Sequence, residues 1–162
     1  MVLVLSDADK KDLPPGACPE RCVFFKAEEG DAGCCGCFQC WFEHPGSCVR
    51  NDRSSSFIKD FSKCDELLVI SRNTFGSYSP SVKNVLDRSI SYLRPTFRIY
   101  RGEMHHKRRY RQPLVFSTVF YGPVSREERA SIELLTRANA VNLYAGRRAP
   151  RFLAEEEREA HP

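Results

Sequence analysis

The sequence lacks any long hydrophobic run. No stretch approaches the roughly 20 apolar residues that a membrane-spanning helix needs, although 41% of the chain is hydrophobic. The opening apolar run, Met1–Leu5, is shorter than a signal-peptide core of roughly 7–15 residues, and a polar stretch follows it. We therefore expect a cytoplasmic protein that does not contact a membrane.

The chain also lacks a strong bias in charge. Its 25 Lys and Arg residues against 21 Asp and Glu residues leave a net charge of +4, so the total does not demand a nucleic-acid partner. A length of 162 residues with 28% charged residues fits one globular domain with a real core. We place that domain at residues 1–150 and a charged tail at 151–162.

Short apolar runs alternate with helix signals along this domain. The runs are typical of strands buried on both faces of a parallel sheet. The predicted strands are Val2–Leu5, Val23–Phe25, Leu67–Ile70, Leu114–Phe120 and Val141–Tyr144. Strands that alternate with helices predict an α/β fold with an open, doubly wound parallel sheet of five strands.

The helix signals are of different strength. Ser79 can cap a helix with Pro80 at its first position, and Ser125 with Glu128 forms a capping box. A weaker helix is expected from Ser54 to Phe61. Residues 7–16 hold several charges and a Pro-Pro-Gly, so we expect no regular crossover helix there.

Eight cysteines are the densest chemical signal. Four of them have the spacing C-x2-C-x2-C-x7-C, namely Cys34, Cys37, Cys40 and Cys48. In a reducing compartment clustered cysteines indicate metal or redox chemistry, and four thiolates suit an iron–sulfur cluster or a structural zinc. The alternative is a loop, residues 33–48, whose thiols merely pack. Cys18 and Cys22 are left unassigned, and Cys64 is expected in the core.

The loop after the third predicted strand is a candidate ligand site. It joins the carboxyl end of a strand to the start of a helix, where open α/β sheets bind ligands. Phe75 and Tyr78 offer surfaces for a planar ring, Gly76 allows close backbone approach, and amides and hydroxyls at residues 77–79 could bind polar ring atoms. The alternative is an ordinary turn between a strand and a helix.

A basic excursion covers residues 94–111. It holds seven Arg or Lys residues and two histidines against one acid, with two interleaved tyrosines. Three interpretations remain open: a cap that attracts nucleotide phosphates, a nucleic-acid contact, or a solvated excursion whose cations pair elsewhere. His105 and His106 could donate protons near neutral pH.

Several motifs together resemble a known family. The set comprises Cys34-x2-Cys37-x2-Cys40-Trp41, Pro45-Gly46, Phe75-Gly76-Ser77-Tyr78-Ser79, residues 82–88 (Val-Lys-Asn-Val-Leu-Asp-Arg) and Gly102-Glu103-Met104-His105-His106-Lys107. It resembles the flavodoxin-like NAD(P)H-dependent FMN reductases and iron–sulfur flavoproteins over residues 33–143. The last motif is that of a short-chain branch of the family.

The resemblance implies a flavodoxin-like fold and an FMN-binding redox protein. FMN would lie against Thr74, Phe75, Gly76, Ser77, Tyr78 and Ser79. Cys34, Cys37, Cys40 and Cys48 would hold a four-iron four-sulfur cluster. The electron donor would be NAD(P)H or a protein, and a homodimer or homotetramer would enclose the flavin. The resemblance favours cap and subunit contact over nucleic acid for residues 94–111.

The chain departs from the family after its first strand. The family pattern there is Gly-Ser-Pro-Arg followed by Ser and Thr, whose amides and hydroxyls hold the FMN phosphate. This chain has Ser6-Asp7-Ala8-Asp9-Lys10-Lys11, in which two aspartates would repel a phosphate. Ser6, Lys10 and Lys11 could still help, or the role could pass to Arg53 and residues 54–56 or to a neighbouring subunit. The alternative function is a flavodoxin-fold binding or assembly module that has lost FMN.

Overall fold

The structure is a computed structural model that describes residues 1–50 and 52–153. Its main element is a parallel six-stranded sheet. Its strands are β1 (Val2–Ser6), β2 (Val23–Lys26), β3 (Glu66–Arg72), β6 (Val115–Tyr121), β7 (Gly146–Arg147) and β8 (Arg151–Phe152). The order is β2-β1-β3-β6-β7, with β8 also paired to β6. The α/β class and the parallel sheet are confirmed.

Four α-helices join these strands in the described residues: α1 (Gln39–Phe42), α2 (Phe57–Phe61), α3 (Pro80–Arg88) and α4 (Arg126–Asn142). Ser79 caps α3 with Pro80 in its first turn, and Ser125 with Glu128 forms the capping box of α4. Both sequence signals are confirmed. Among the described residues, no helix has the length and apolar character needed to span a membrane.

The predicted strand Val141–Tyr144 is wrong. Helix α4 continues to Asn142, and the chain turns at Tyr144, whose φ is 57°. A run this short fits a strand or a last helical turn equally well by periodicity alone. The sheet ends instead in β7 and β8, each two residues long, so it has six strands rather than five.

The predicted domain boundary at residue 150 is too early. β8 belongs to the sheet, and the amide of Leu153 donates to the carbonyl of Phe120 at 2.8 Å. Residues 154–162 of the predicted tail lie outside the described residues.

The two faces of the sheet are covered differently. Leu3 and Leu5 face the main core, where α2, α3 and α4 pack. Val4 and Ile70 face a smaller cluster that includes residues 13, 18 and 22 of the segment after β1. That segment contains only a short 3₁₀ turn, Lys10–Asp12, so the expectation of no crossover helix is confirmed.

The basic excursion contains an antiparallel hairpin, β4 (Leu93–Tyr100) and β5 (Glu103–Arg108), which is separate from the main sheet. Arg101 and Gly102 form its turn at φ of 54° and 81°. Phe97 pairs with His106, and Ile99 with Met104, so these four side chains share one face. Three of them are exposed apolar residues: Phe97, Ile99 and Met104.

Candidate functional site

A wide cleft lies at the carboxyl edge of the main sheet, where open α/β sheets bind ligands. Its volume is about 1420 Å³. Asp7 follows β1, Lys26 and Arg72 end their strands, and Tyr121 ends β6. Its acidic lining residues are Asp7, Glu28, Glu29, Asp31 and Glu128, and its basic ones are Lys26 and Arg72. Carboxylates therefore outnumber cations in this cleft.

The turn after β3 borders this cleft. Thr74 and Ser77 exchange two backbone hydrogen bonds of 3.0 and 3.1 Å. Between them, Phe75 and Gly76 have φ of 52° and 76°, as in a tight type I′ turn. The Asn73 side chain accepts from the Gly76 amide at 3.0 Å and donates to Glu128 at 3.1 Å, which ties the turn to α4. The turn is therefore organised before any ligand arrives.

Phe75 is the aromatic surface that this turn offers. Its side chain is 94% exposed and lines the cleft. The neighbouring glycine is needed for space as well as for its φ, because a Cβ on Gly76 would lie 3.0 Å from Ser131 Cβ and 3.3 Å from Glu128 Cα. The close packing of the turn against α4 holds Phe75 over the cleft.

Tyr78 is turned into the core, whereas Ser79 lines the cleft and also caps a helix. Tyr78 is buried, stacks on Phe120 and accepts a hydrogen bond from Asn139, and burial raises the pKa of its hydroxyl. Ser79 caps α3, and its amide donates to Ser71 Oγ at 2.8 Å. The Ser77 amide is used within the turn. Because short polar and aromatic residues at a helix start serve the core as readily as a ligand, the sequence alone did not separate these roles.

The loop after β1 directs its acids towards the cleft. Asp7 accepts from the Arg72 amide at 3.1 Å and from the Tyr121 hydroxyl at 2.9 Å. Ser6 is fully buried, and its hydroxyl accepts from the Ala8 amide at 3.1 Å. Asp9 pairs with Lys26 at 2.9 Å. Ser6 is therefore not available to hold an FMN phosphate, and two carboxylates, Asp7 and Asp9, follow it in sequence.

Three of the other expected phosphate ligands, Arg53, Ser54 and Lys10, are also paired. Arg53 contacts Glu28 at 3.3 Å and lies over the ring of Phe25, while the hydroxyl of Ser54 donates to Asp31. The Lys10 ammonium points to the Glu20 carbonyl at 3.3 Å. The Phe75 turn thus offers an exposed aromatic side chain to the cleft, whereas the loop after β1 offers it the Asp7 carboxylate, which does not suit a phosphate.

Arg88, at the end of α3, fastens the cysteine loop at both ends. Its guanidinium donates to both carboxylate oxygens of Asp52 at 2.7 Å, to the Ala32 carbonyl at 3.0 Å and to the Arg50 carbonyl at 3.2 Å. Arg88 is 4% exposed, and its hydrogen bonds lower the pKa of Asp52. The sequence analysis gave Arg88 no role, because an arginine at a helix end is most often solvated.

Trp41 anchors the middle of the loop. Its indole nitrogen donates to the Ile90 and Leu93 carbonyls, each at 3.1 Å. Its ring lies 5.3 Å from Phe38 and 4.8 Å from His106, measured between centroids. The cysteine loop is thereby held against the basic hairpin.

The two histidines of the hairpin have structural contacts. His105 is buried, with Nδ1 2.9 Å from Asn142 Oδ1 and Nε2 3.2 Å from Glu103. His106 Nδ1 lies 2.9 Å from the Arg94 carbonyl. Neither histidine lines the cleft at the carboxyl edge.

The four predicted ligand cysteines lie near one another in the loop, but their thiols are not gathered around one point. Cys34 and Cys37 are exposed, and Cys40 and Cys48 are half-buried. Burial raises the pKa of Cys40, and the nearby thiolate charges of Cys48, Cys34 and Cys37 add to this effect. Within residues 1–50 and 52–153, no three His, Cys, Asp or Glu side chains form a group that could hold a metal ion. A metal would have to draw these thiols together as it binds, which is common for thiolate sites.

Cys35 differs from its neighbours. Its thiol is exposed, and hydrogen bonds from Cys37, with a further one from Arg50, lower its pKa. It is therefore more readily ionised than an ordinary cysteine.

Comparison with known proteins adds no family assignment. No protein-family model matches this chain, and a search of curated proteins finds no match.

Proposed function

We propose that this chain is a flavodoxin-like redox protein that binds a flavin ring in the cleft at the carboxyl edge of its sheet. Counting only the strands of the main sheet, the order β2-β1-β3-β6-β7 corresponds to the flavodoxin order 2-1-3-4-5. That order supports the flavodoxin-like form of the fold, in which α2, α3 and α4 follow β2, β3 and β6 and pack on one face of the sheet.

The observation that carries the proposal is the exposed Phe75 on its fixed turn beside a cleft of about 1420 Å³. Ligand sites commonly occupy about 300–1000 Å³, so this open cleft has room for a planar ring. A bound flavin would supply hydride or one-electron chemistry, with NAD(P)H or a protein as electron donor. The protein's part is to present Phe75 and to hold the ring edge against the turn.

The phosphate of FMN would lie away from the loop after β1, because Asp7 and Asp9 occupy that place. A homodimer or homotetramer could supply the missing cations. The hairpin carries exposed basic residues: Arg94, Arg98, Arg101 and Lys107. We propose that this hairpin of one subunit lies over the acidic cleft of another, where the charges are complementary.

The proposal is tested by the absorption spectrum of the purified protein and by reconstitution with FMN. We expect flavin absorption from the parent and weaker flavin retention in Phe75→Ala, with unchanged thermal unfolding because Phe75 is 94% exposed. Phe42→Ala is the matched control, since Phe42 is another exposed phenylalanine that neither lines the cleft nor belongs to the hairpin. A colourless parent that takes up no flavin would contradict the proposal.

The cysteine loop extends the proposal to an iron–sulfur cluster on Cys34, Cys37, Cys40 and Cys48. Support comes from their spacing and from the anchors at Arg88 and Trp41. Anaerobic reconstitution with iron and sulfide should give about four irons per chain. Uptake should survive Cys35→Ser and fail in Cys48→Ser. If the parent with intact thiols takes up no iron, the cluster is ruled out and the flavin proposal is unaffected.

A second candidate is a flavodoxin-fold binding or assembly module without a flavin. The observation that favours it is the Asp7 carboxylate, held by Arg72 and Tyr121 where the family holds a phosphate. Such a module would show no flavin affinity, and substitution of Phe75 would change partner binding alone.

A further inference from the structure

Cys18 and Cys22 lie together on the sheet face that α2, α3 and α4 do not cover. Their sulfur atoms are 3.6 Å apart, and both thiols donate to the same carbonyl, that of Pro19, at 3.5 and 3.3 Å. Both are free thiols of intermediate exposure. The contact spans one short turn, Cys18-Pro-Glu-Arg-Cys22.

The surrounding fold fixes this turn. Ala17, the residue before it, is fully buried, and Arg151 of β8 donates to the carbonyls of Gly16 and Ala17 at 3.3 and 3.2 Å. Both cysteines pack against the smaller core cluster beneath the turn. The two sulfurs are therefore neighbours because the sheet and β8 hold them so, as well as because they are close in sequence.

The two thiols have different surroundings. The Lys10 ammonium lies 3.6 Å from the sulfur of Cys22, and a nearby cation stabilises a thiolate. Burial, and then the neighbouring Cys22 thiol, raises the pKa of Cys18 to about 11. This difference suits a pair in which the Cys22 sulfur attacks a disulfide and the Cys18 sulfur then resolves the mixed disulfide.

We propose that Cys18 and Cys22 form a reversible dithiol–disulfide pair that exchanges with low-molecular-weight disulfides. The chemistry is independent of the proposed flavin and of the cysteine loop. Among the described residues no third ligand joins these thiols in a group that could hold a metal, which leaves thiol exchange as the chemistry that two adjacent sulfurs support.

The exchange has two balanced steps. The Cys22 thiolate attacks one sulfur of a disulfide such as oxidised glutathione, forms a mixed disulfide and releases one glutathione thiolate. Cys18 then gives its proton to solvent, its sulfur attacks the Cys22 sulfur, and a second glutathione thiolate leaves. The two protein thiols lose two electrons, and one glutathione disulfide is reduced to two thiols.

Oxidation would change the edge of the cleft. Lys10 loses the Cys22 thiol as a hydrogen-bond partner once that sulfur is in a disulfide, and Lys10 lies next to Asp9 in the same loop. The disulfide itself closes only residues 18–22, which lie after Asp7 and Asp9 in the segment between β1 and β2. Its effect on the loop after β1 therefore acts through Lys10.

The sequence allows a direct test by mass spectrometry. Trypsin cleaves after Lys11, Arg21 and Lys26, so Cys18 and Cys22 fall in separate peptides, 12–21 and 22–26. The full chain is equilibrated with oxidised glutathione, its remaining thiols are blocked by alkylation under acid quench, and the digest is analysed. We expect the two peptides as one disulfide-linked species that dithiothreitol separates.

Variants test the roles of the two sulfurs. Cys18→Ser should stop at peptide 22–26 bearing glutathione, and Cys22→Ser should leave peptide 12–21 unmodified. Lys10→Met should slow the reaction of Cys22 several-fold, while Lys11→Met, the matched control, should not. The proposal is overturned if peptides 12–21 and 22–26 are recovered unlinked at high oxidised glutathione, or if Cys22 links mainly to the cysteines of residues 27–50.

Discussion

Two loops at the carboxyl edge of the sheet differ in the kind of ligand group that each can accept. The turn after β3 leaves an aromatic side chain, Phe75, 94% exposed over the cleft. The loop after β1 instead presents Asp7 and Asp9, which are held by Tyr121 and Lys26. Position at the carboxyl edge makes a ligand site available, but the residues of each loop decide which part of a ligand it can accept.

The two loops also differ in the ion pairs near them. Helix α3 follows the turn after β3 and ends in Arg88. The Arg88 side chain pairs with Asp52 and is 1% exposed. The loop after β1 relies on Lys26 and Asp9, whose side chains are 26% and 48% exposed. The comparison can be sharpened by removing the cation from each pair.

The largest expected effect is from Arg88→Met. Loss of a buried cation leaves a partly buried carboxylate and the Ala32 and Arg50 carbonyls without their partner, so the free energy of unfolding should fall by about 2–4 kcal/mol. Lys26→Met is the matched control, and it should change the free energy of unfolding much less because its pair with Asp9 is open to solvent. Urea denaturation of the three proteins measures this, and equal losses would break the comparison.

Gly76→Val should have the next largest effect. Both the φ of 76° and the 3.0 Å approach to Ser131 oppose a Cβ at this site, so we expect a loss of about 2–3 kcal/mol of stability and a weakened flavin site. Gly16→Val has the same φ of 76° with nothing within 4 Å of the added Cβ, and Gly16 does not line the cleft. This variant measures the backbone strain alone, and it should leave flavin binding unchanged.

If the two valine variants unfold at the same denaturant concentration, packing of the turn against α4 contributes nothing. If Gly76→Val keeps flavin as tightly as the parent, the flavin site is elsewhere.

Asp7→Asn should have a smaller effect, confined to phosphate-bearing ligands. It removes a carboxylate from the place where a phosphate would sit, while an amide can keep one hydrogen bond of the same geometry. We expect the affinity for FMN relative to riboflavin to rise by about 10-fold, which is about 1.4 kcal/mol. Isothermal titration at low salt measures both ligands, and an unchanged ratio would show that Asp7 does not oppose the phosphate.

The smallest expected effect is the pH dependence of the Arg88 pair. Hydrogen bonds from Arg88 lower the pKa of Asp52 in the folded chain, so this contribution to stability is present above the unfolded pKa of about 3.9. It is lost as the pH falls through the lowered folded value. The difference in unfolding free energy between the parent and Asp52→Asn should therefore shrink below about pH 4. A difference that grows in acid would contradict this assignment.

Much of the fold could be predicted from the sequence because its signals are local. The four longest strands of the main sheet, the caps at Ser79 and Ser125 and the missing crossover helix all rest on neighbouring residues. The alternation of Thr96, Phe97, Arg98 and Ile99 is typical of a strand, but residues 94–111 were predicted only as a basic excursion. The last strands were missed because two-residue strands depend on pairing with β6.

The position of the candidate site in the fold could be predicted from the sequence, but only some of the residues that line it could. Thr74, Phe75 and Ser79 line the cleft, whereas Gly76 packs against α4 and Tyr78 is buried in the core. Arg88 and the contact of Cys18 with Cys22 depend on long-range packing or on the path of a loop. The type of a residue and its spacing from others do not reveal which distant residue it will contact in the folded chain.

The most direct test of the central claim is a pair of fluorescence titrations of the parent protein with riboflavin and with FMN, in the same buffer. The claim is that the Phe75 turn holds the flavin ring and that the loop after β1 gives the phosphate no help. We expect both flavins to bind, with dissociation constants within about 10-fold of each other, a difference of about 1.4 kcal/mol. FMN that binds more than about 100-fold tighter than riboflavin, or no binding of either flavin, would contradict it.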